Sequence, residues 1–136
     1  MSDTRTADPI PLTRPFWEAA ANGVLVRPVC SDCGRDFFVP QLCCPHCRSE
    51  RWEYVASAGT GRVETYSVVH RAPSPQIPTP YVVAVIRLDE GWTMMSNIVG
   101  PTAEQVAIGS RVAVTFQDKA GFGIVPAFEP EGNTVV

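Results

Sequence analysis

Five cysteines stand at positions 30, 33, 43, 44 and 47. Four of them form two pairs, Cys30-Ser31-Asp32-Cys33 and Cys44-Pro45-His46-Cys47, with ten residues between the pairs. Two residues between sulfurs let the chain curl so that both thiolates face one ion while the intervening amides point at the sulfurs. Gly34 supplies the positive φ that follows such a curl. Four thiolates in a tetrahedron make the closed, structural type of zinc site, with no open position for a water nucleophile. The odd, tightly clustered cysteine count is a poor disulfide framework. Cys43 is the spare thiol: its plain reading is a small buried apolar residue, its alternative a substitute ligand or redox-active thiol. His46 is expected to face solvent. Zinc is the expected ion, one per chain, and iron, which fits the same four-sulfur geometry, the less favoured one. Four thiolates and a divalent ion lower the formal net charge from −3 to about −5, and Arg35, Arg48 and Arg51 stand close enough in sequence to offset part of it.

These ligands need elements to hold them. Residues 1–12 are polar and broken by Pro9 and Pro11, and read as a loose tail. Residues 13–23 read as a short helix, with Pro15 in the first turn, Gly23 just past the end, and Phe16, Trp17, Ala20 and Ala21 as its apolar stripe. So short a helix must pack on the domain or a partner. Residues 24–55 read as a zinc ribbon with strand candidates at 24–29, 37–40 and 52–55. Its apolar content is too small for a core of its own, so the metal supplies folding free energy, on the order of 10 kcal/mol in small zinc modules.

From residue 56 to 130 the pattern changes to strands, predicted at 63–70, 81–88, 93–99, 111–117 and 124–128. A helix is expected from Thr102, with capping-box spacing to Gln105, to about Ile108, closed by Gly109. Three strands, a helix and two strands is the order of an OB-fold barrel. Asp89-Glu90-Gly91 reads as a tight hairpin, and the Gly59-Thr60-Gly61 and Gly121-Phe122-Gly123 pairs as turns. No flexible linker separates ribbon from barrel, so the two lobes are expected to move as a unit. Residues 71–80 carry four prolines, a stiff connection of the kind that often has a function. Residues 131–136 form a C-terminal tail. The fold class is thus mainly β: a short N-terminal helix, a zinc ribbon, then a five-stranded OB-fold barrel with one helix between its third and fourth strands.

Hydrophobic residues make up 45% of the chain and charged residues 18%, a globular composition. No apolar run reaches spanning length and no leader opens the chain, so a cytoplasmic protein without a membrane span is expected. Ten of the eleven basic residues are Arg and only Lys119 is Lys. The excess of acid over base disfavours a nucleic-acid binder. His70 is the one histidine outside the cysteine pairs, the carboxylates are scattered, and no nucleophile elbow or phosphate loop is present. A self-sufficient enzyme is not expected.

Several motifs together resemble a known family: bacterial and archaeal proteins that join a rubredoxin-like zinc ribbon to an acyl-CoA-associated OB-fold. The matching pieces are Phe16-Trp17, Cys30-x-x-Cys33-Gly34, Cys44-Pro45-x-Cys47, Gly59-x-Gly61-x-Val63, and Tyr66-Ser67-Val68-Val69-His70-Arg71. Pro80-Tyr81, Met94-Met95-Ser96-Asn97-Ile98-Val99-Gly100 and Ile108-Gly109 before Arg111-Val112-Ala113-Val114 complete the likeness, which runs over about residues 14–130. The resemblance implies a non-catalytic accessory or scaffold subunit of a thiolase-superfamily enzyme, an acyltransferase or aldolase working on acyl-CoA thioesters. It implies metal ligation by Cys30, Cys33, Cys44 and Cys47 and no catalytic residue. A thiolase-like subunit is the expected partner, with acyl-CoA at the shared interface and His70, Arg71 and Phe122 as candidate contacts. Met94 and Met95, adjacent on a strand, are expected on opposite faces. The alternatives are a nucleic-acid-binding module, since OB barrels and zinc ribbons both occur there, and a rubredoxin-like electron carrier.

Overall fold

The structure, a computed structural model, describes residues 10–119 and 121–131. The tails expected over 1–12 and 131–136 therefore fall largely outside the described residues. Where the first of them is described it is not loose: Thr13 N–H donates to the Ile10 carbonyl at 3.0 Å, and the Tyr54 hydroxyl donates to the Leu12 carbonyl at 2.7 Å.

Helix α1 (Arg14–Ala21) follows. Its end is a Schellman turn, with Gly23 at φ 80° donating to the Ala20 carbonyl and Val24 to the Ala19 carbonyl. The helix buries Phe16 and Ala20, with Ala19 rather than Ala21 completing the inward stripe and Trp17 left at the margin.

The ribbon is a two-stranded antiparallel sheet, β1 (Val26–Cys30) against β2 (Trp52–Ala56), in the register Val26–Ala56 to Cys30–Trp52. The strand expected at 37–40 does not form; only Asp36 bridges to Val29. Phe37 and Phe38 leave the sheet because each has a different core to enter. Phe37 packs edge-on to Trp52, 5.6 Å between centroids, beside Cys30 and Cys44, whereas Phe38 lies 5.6 Å from Phe16 and 5.3 Å from Trp92.

Five strands close the barrel: β3 (Thr60–Val69), β4 (Tyr81–Leu88), β5 (Thr93–Ile98), β6 (Arg111–Lys119) and β7 (Gly123–Pro130), in the order β3-β4-β5-β7-β6. Closure uses an antiparallel β3–β6 pairing and one parallel contact, Ile98 with Phe128. β3 starts earlier than the sequence suggests, so Gly61 is no turn residue. It sits between Leu88 and Val112 in the sheet, and a Cβ there would lie 2.3 Å from the Arg87 carbonyl oxygen.

The expected helix over 102–108 is instead a 3₁₀ turn at Ala103–Gln105. Thr102 makes no side-chain cap, and Val106 turns to an extended conformation that puts its side chain in the barrel core, 6% exposed. Burying one valine outweighs continuing a short helix.

Helix, ribbon and barrel share one core. Phe16, Leu25 and Val26 belong to the same buried cluster as Val63, Ile86, Trp92 and Phe128. Such joint burial makes the lobes one packing unit. The junction is also tied by polar groups: Ser57 N–H donates to the Leu25 carbonyl at 2.7 Å, and the Glu90 carboxylate accepts from Ser57 Oγ, Ala58 N–H and Trp92 Nε1–H at 2.8–3.0 Å.

Candidate metal centre

The curls after Cys30 and Cys44 bring the sulfurs of Cys30, Cys33, Cys44 and Cys47 within 4.8 Å of one another. Cys30 Sγ lies 3.6 Å from Cys47 Sγ, and Cys33 Sγ 3.7 Å from Cys44 Sγ. Sulfurs bound tetrahedrally at about 2.3 Å stand about 3.8 Å apart, so the spacing fits a four-thiolate ion. Backbone amides point inward as the spacing predicts. Asp32 N–H and Cys33 N–H reach Cys30 Sγ at 3.3 and 3.5 Å, and His46 N–H reaches Cys44 Sγ at 3.4 Å.

The electrostatics also call for a cation. The Cys33 N–H aimed at its sulfur, helped by that of Asp32, lowers the Cys30 thiol to about 7. The Ser49 N–H favours the Cys47 thiolate, but burial and the neighbouring sulfurs of Cys30, Cys33 and Cys44 outweigh it and raise that thiol to about 12. Four sulfurs this close cannot all ionise unless a positive ion sits among them. Cys30 and Cys44 are buried, while Cys33 and Cys47 are exposed on the outer side.

Around the sulfurs, Asp32 accepts from Ser49 Oγ and from Arg51 Nη2 at 2.8 Å, which ties the first knuckle to the strand leaving the second. Arg51 thus acts through Asp32. Arg35 Nη1 lies 3.3 Å from His46 Nδ1, and both groups face outward. Cys43 is half-buried and is not among the clustered sulfurs.

The other candidate residues do not converge. His70 and Arg71 are exposed where β3 runs into the proline-rich connection. Phe122 stands at the tip of the β6–β7 hairpin between Gly121 and Gly123, 66% exposed. It lines two concavities that His70 and Arg71 do not. One, about 440 Å³, is walled by α1, Phe38 to Pro40 and β5; the other, about 510 Å³, lies between the hairpin and Ile77 to Tyr81. Met94 is buried and Met95 is 68% exposed, on opposite faces of β5. Sequence reasoning missed two residues that assemble the lobes. Glu90, read as part of a turn, is the junction clamp, and Phe38, read as a strand residue, is the wedge between helix and barrel. Glu90 gave no local signal, because Ser57 and Ala58 stand 33 and 32 residues away from it in sequence; the unbroken Phe37-Phe38 pair did, since adjacent large rings need two separate places to go.

Comparisons with known proteins fit this layout. Residues 17–53 match the family described as ChsH2, rubredoxin-like zinc ribbon domain, and residues 54–117 match ChsH2, C-terminal OB-fold domain. A probable enoyl-CoA hydratase alpha subunit of Thermomonospora curvata is 39% identical over 116 residues, 85% of this chain. The chain spans only 36% of that protein. A DUF35 domain-containing scaffold protein of Methanothermobacter thermautotrophicus is 35% identical over 91 residues, covering 65% of this chain and 68% of its own length. Among solved structures, one described as Ltp2-ChsH2(DUF35) aldolase superposes with a TM-score of 0.81 at 35% identity, over 91% of this chain and 98% of the matched one. A ribbon of clustered thiolates continuous in packing with a five-stranded barrel, matched in both halves, makes this chain a member of the DUF35 family of ChsH2-type zinc-ribbon and OB-fold proteins.

Proposed function

We propose that this chain is a non-catalytic scaffold subunit of an enzyme acting on acyl-CoA thioesters, assembled with a thiolase-superfamily acyltransferase or aldolase. The observation that carries the reading is the likeness, over nearly the whole of both chains, to a DUF35 chain named as part of an aldolase. The name of the hydratase alpha subunit and that of the scaffold protein point the same way. Zinc is the ion we assign to Cys30, Cys33, Cys44 and Cys47; it supplies folding free energy, and the knuckle amides and Asp32–Arg51 pair orient the thiolates that hold it. Thiolate ligation without disulfides suits the reducing cytoplasm.

Three barrel carboxylates are committed to structure, which supports assigning the chemistry to the partner. Asp89 is committed to Arg111 and Thr60, Glu64 to Arg87, and Glu90 to the junction, so each is spent on structure. The same pairing covers arginines of the barrel face, which weakens the nucleic-acid reading, because a phosphate track needs unpaired cations. His70, Arg71 and Phe122 remain our candidates for contacts to CoA or the partner. In the test, the purified chain is offered acyl-CoA thioesters alone and together with a thiolase-superfamily protein from the same organism. The expected result is no turnover alone and a soluble, active complex together. Robust conversion by the isolated chain would overturn the assignment.

A further inference from the structure

The concavity between α1, the connection joining the cysteine pairs and the β6–β7 hairpin differs from the rest of the surface. Its lining includes Phe16, Trp17, Phe38, Met94, Met95 and Phe122, and the one charged residue among its described lining residues is Lys119, the sole lysine of the chain. Aromatic and methionine side chains with charge excluded are the composition of an interface centre. The rim stands open: Val39 is 62% exposed, Met95 68% and Phe122 66%. A small ligand pocket encloses most of its ligand, whereas these side chains project outward, as anchors do toward another surface. Contiguous exposed apolar area of this kind marks interaction sites. Pro40 and Pro126 in the walls limit the freedom that docking would remove.

We propose that this cleft receives the partner subunit, and that its occupant is an apolar segment of that protein bearing a carboxylate at the edge that meets Lys119. Charge complementarity selects the occupant: among the described lining residues there is one ammonium and no carboxylate, which leaves a place for one negative group. The inference rests on the proposed function for the partner's class, and adds where and by what chemistry the partner binds.

A photoreactive phenylalanine analogue placed at Met95 in the full-length chain, expressed in its native host, tests the surface; the control position is Ile108, also apolar and 72% exposed but outside the cleft. The expected adduct forms at Met95 and not at Ile108, and sequencing of the linked peptide shows apolar residues next to Asp or Glu in an acyl-CoA enzyme subunit. Lys119→Glu lowers the adduct yield about tenfold and Lys119→Arg retains it. An acyl-CoA enzyme caught at Ile108 but not at Met95 would overturn the cleft while sparing the proposed function. An adduct at Met95 to a subunit of unrelated chemistry would overturn the proposed function and leave the surface standing. A lipid adduct, no protein adduct, or a yield indifferent to Lys119→Glu would overturn the inference itself.

Discussion

Gly34 and Arg48 occupy equivalent places, each four residues after the first cysteine of its knuckle, with φ of 77° and 69°. Each donates its N–H to the carbonyl of that cysteine, at 2.9 and 2.7 Å, and each cysteine N–H returns a bond to the next residue's carbonyl, on Arg35 and Ser49. The two knuckles are therefore one backbone shape used twice. A non-glycine residue in the left-handed region costs about 1 kcal/mol. Arg48→Gly is expected to raise the stability of the metal-loaded protein by about that much, and Gly34→Ala to lower it by a similar amount. A Cβ at Gly34 meets nothing within 4 Å, so that loss reports backbone conformation alone. Denaturant midpoints measured with metal present check both. A loss of stability in Arg48→Gly would mean that the arginine side chain contributes more than its conformation costs.

Much of this was legible because the signals were local. The cysteine spacing, Gly23 as helix stop and the apolar run that forms β4 each depend on a few neighbouring residues, and each stands in the structure. What failed depended on contacts distant in sequence. The 102–108 segment has good helical composition, but Val106 is claimed by a core built from strands on either side of it. Gly61 looks like a turn residue until the Arg87 backbone is placed against it. The docking cleft was equally hidden, since its walls come from α1, the knuckle connection and the last hairpin, which no single window of sequence brings together.

Metal removal should act beyond the knuckles. Phe37 to Pro40 hang between the two cysteine pairs, and Phe38 is the ring between Phe16 and Trp92. Chelation of the ion is expected to change the fluorescence of Trp52, which packs on Phe37 beside the sulfurs, and of Trp92 as well. Cys43→Ser should keep one ion per chain and Cys44→Ser should lose it, as read by metal analysis. Equal metal content in the two variants would count against the ligand set.

The clamp at the lobe junction gives a separate expectation. Glu90→Ala leaves the Ala58 N–H and the Trp92 indole N–H without their acceptor, and is expected to cost about 2 kcal/mol. Gly61→Ala should cost more, because the new methyl group meets backbone rather than a movable side chain. Thermal unfolding of both variants, with metal content held equal, ranks them. A Glu90→Ala protein as stable as the parent would show that the shared apolar core alone fixes the lobes.

Acid should reveal the barrel's carboxylate pairs. Hydrogen bonds from Arg111 and then Thr60 hold the Asp89 carboxyl well below the usual range, and the Arg87 guanidinium lowers Glu64. A carboxyl depressed in the folded state stabilises it fully above its unfolded value of about 4 and loses that contribution as pH falls through the folded value. Stability is therefore expected to be flat with respect to these groups near neutrality and to decline below about pH 4. Thiolate protonation also weakens the metal site on acidification, so the comparison must be between the parent and Asp89→Asn. That variant should be less stable at pH 7 and should lose less between pH 4 and pH 2, the two curves converging at the acid end. Both residues of the Asp89–Arg111 pair are about two-fifths exposed, at 43% and 40%, so raising salt should shrink the gap at pH 7. Parallel curves for the two proteins, with a constant gap across the acid range, would show that the Asp89 carboxyl titrates alike in folded and unfolded chains.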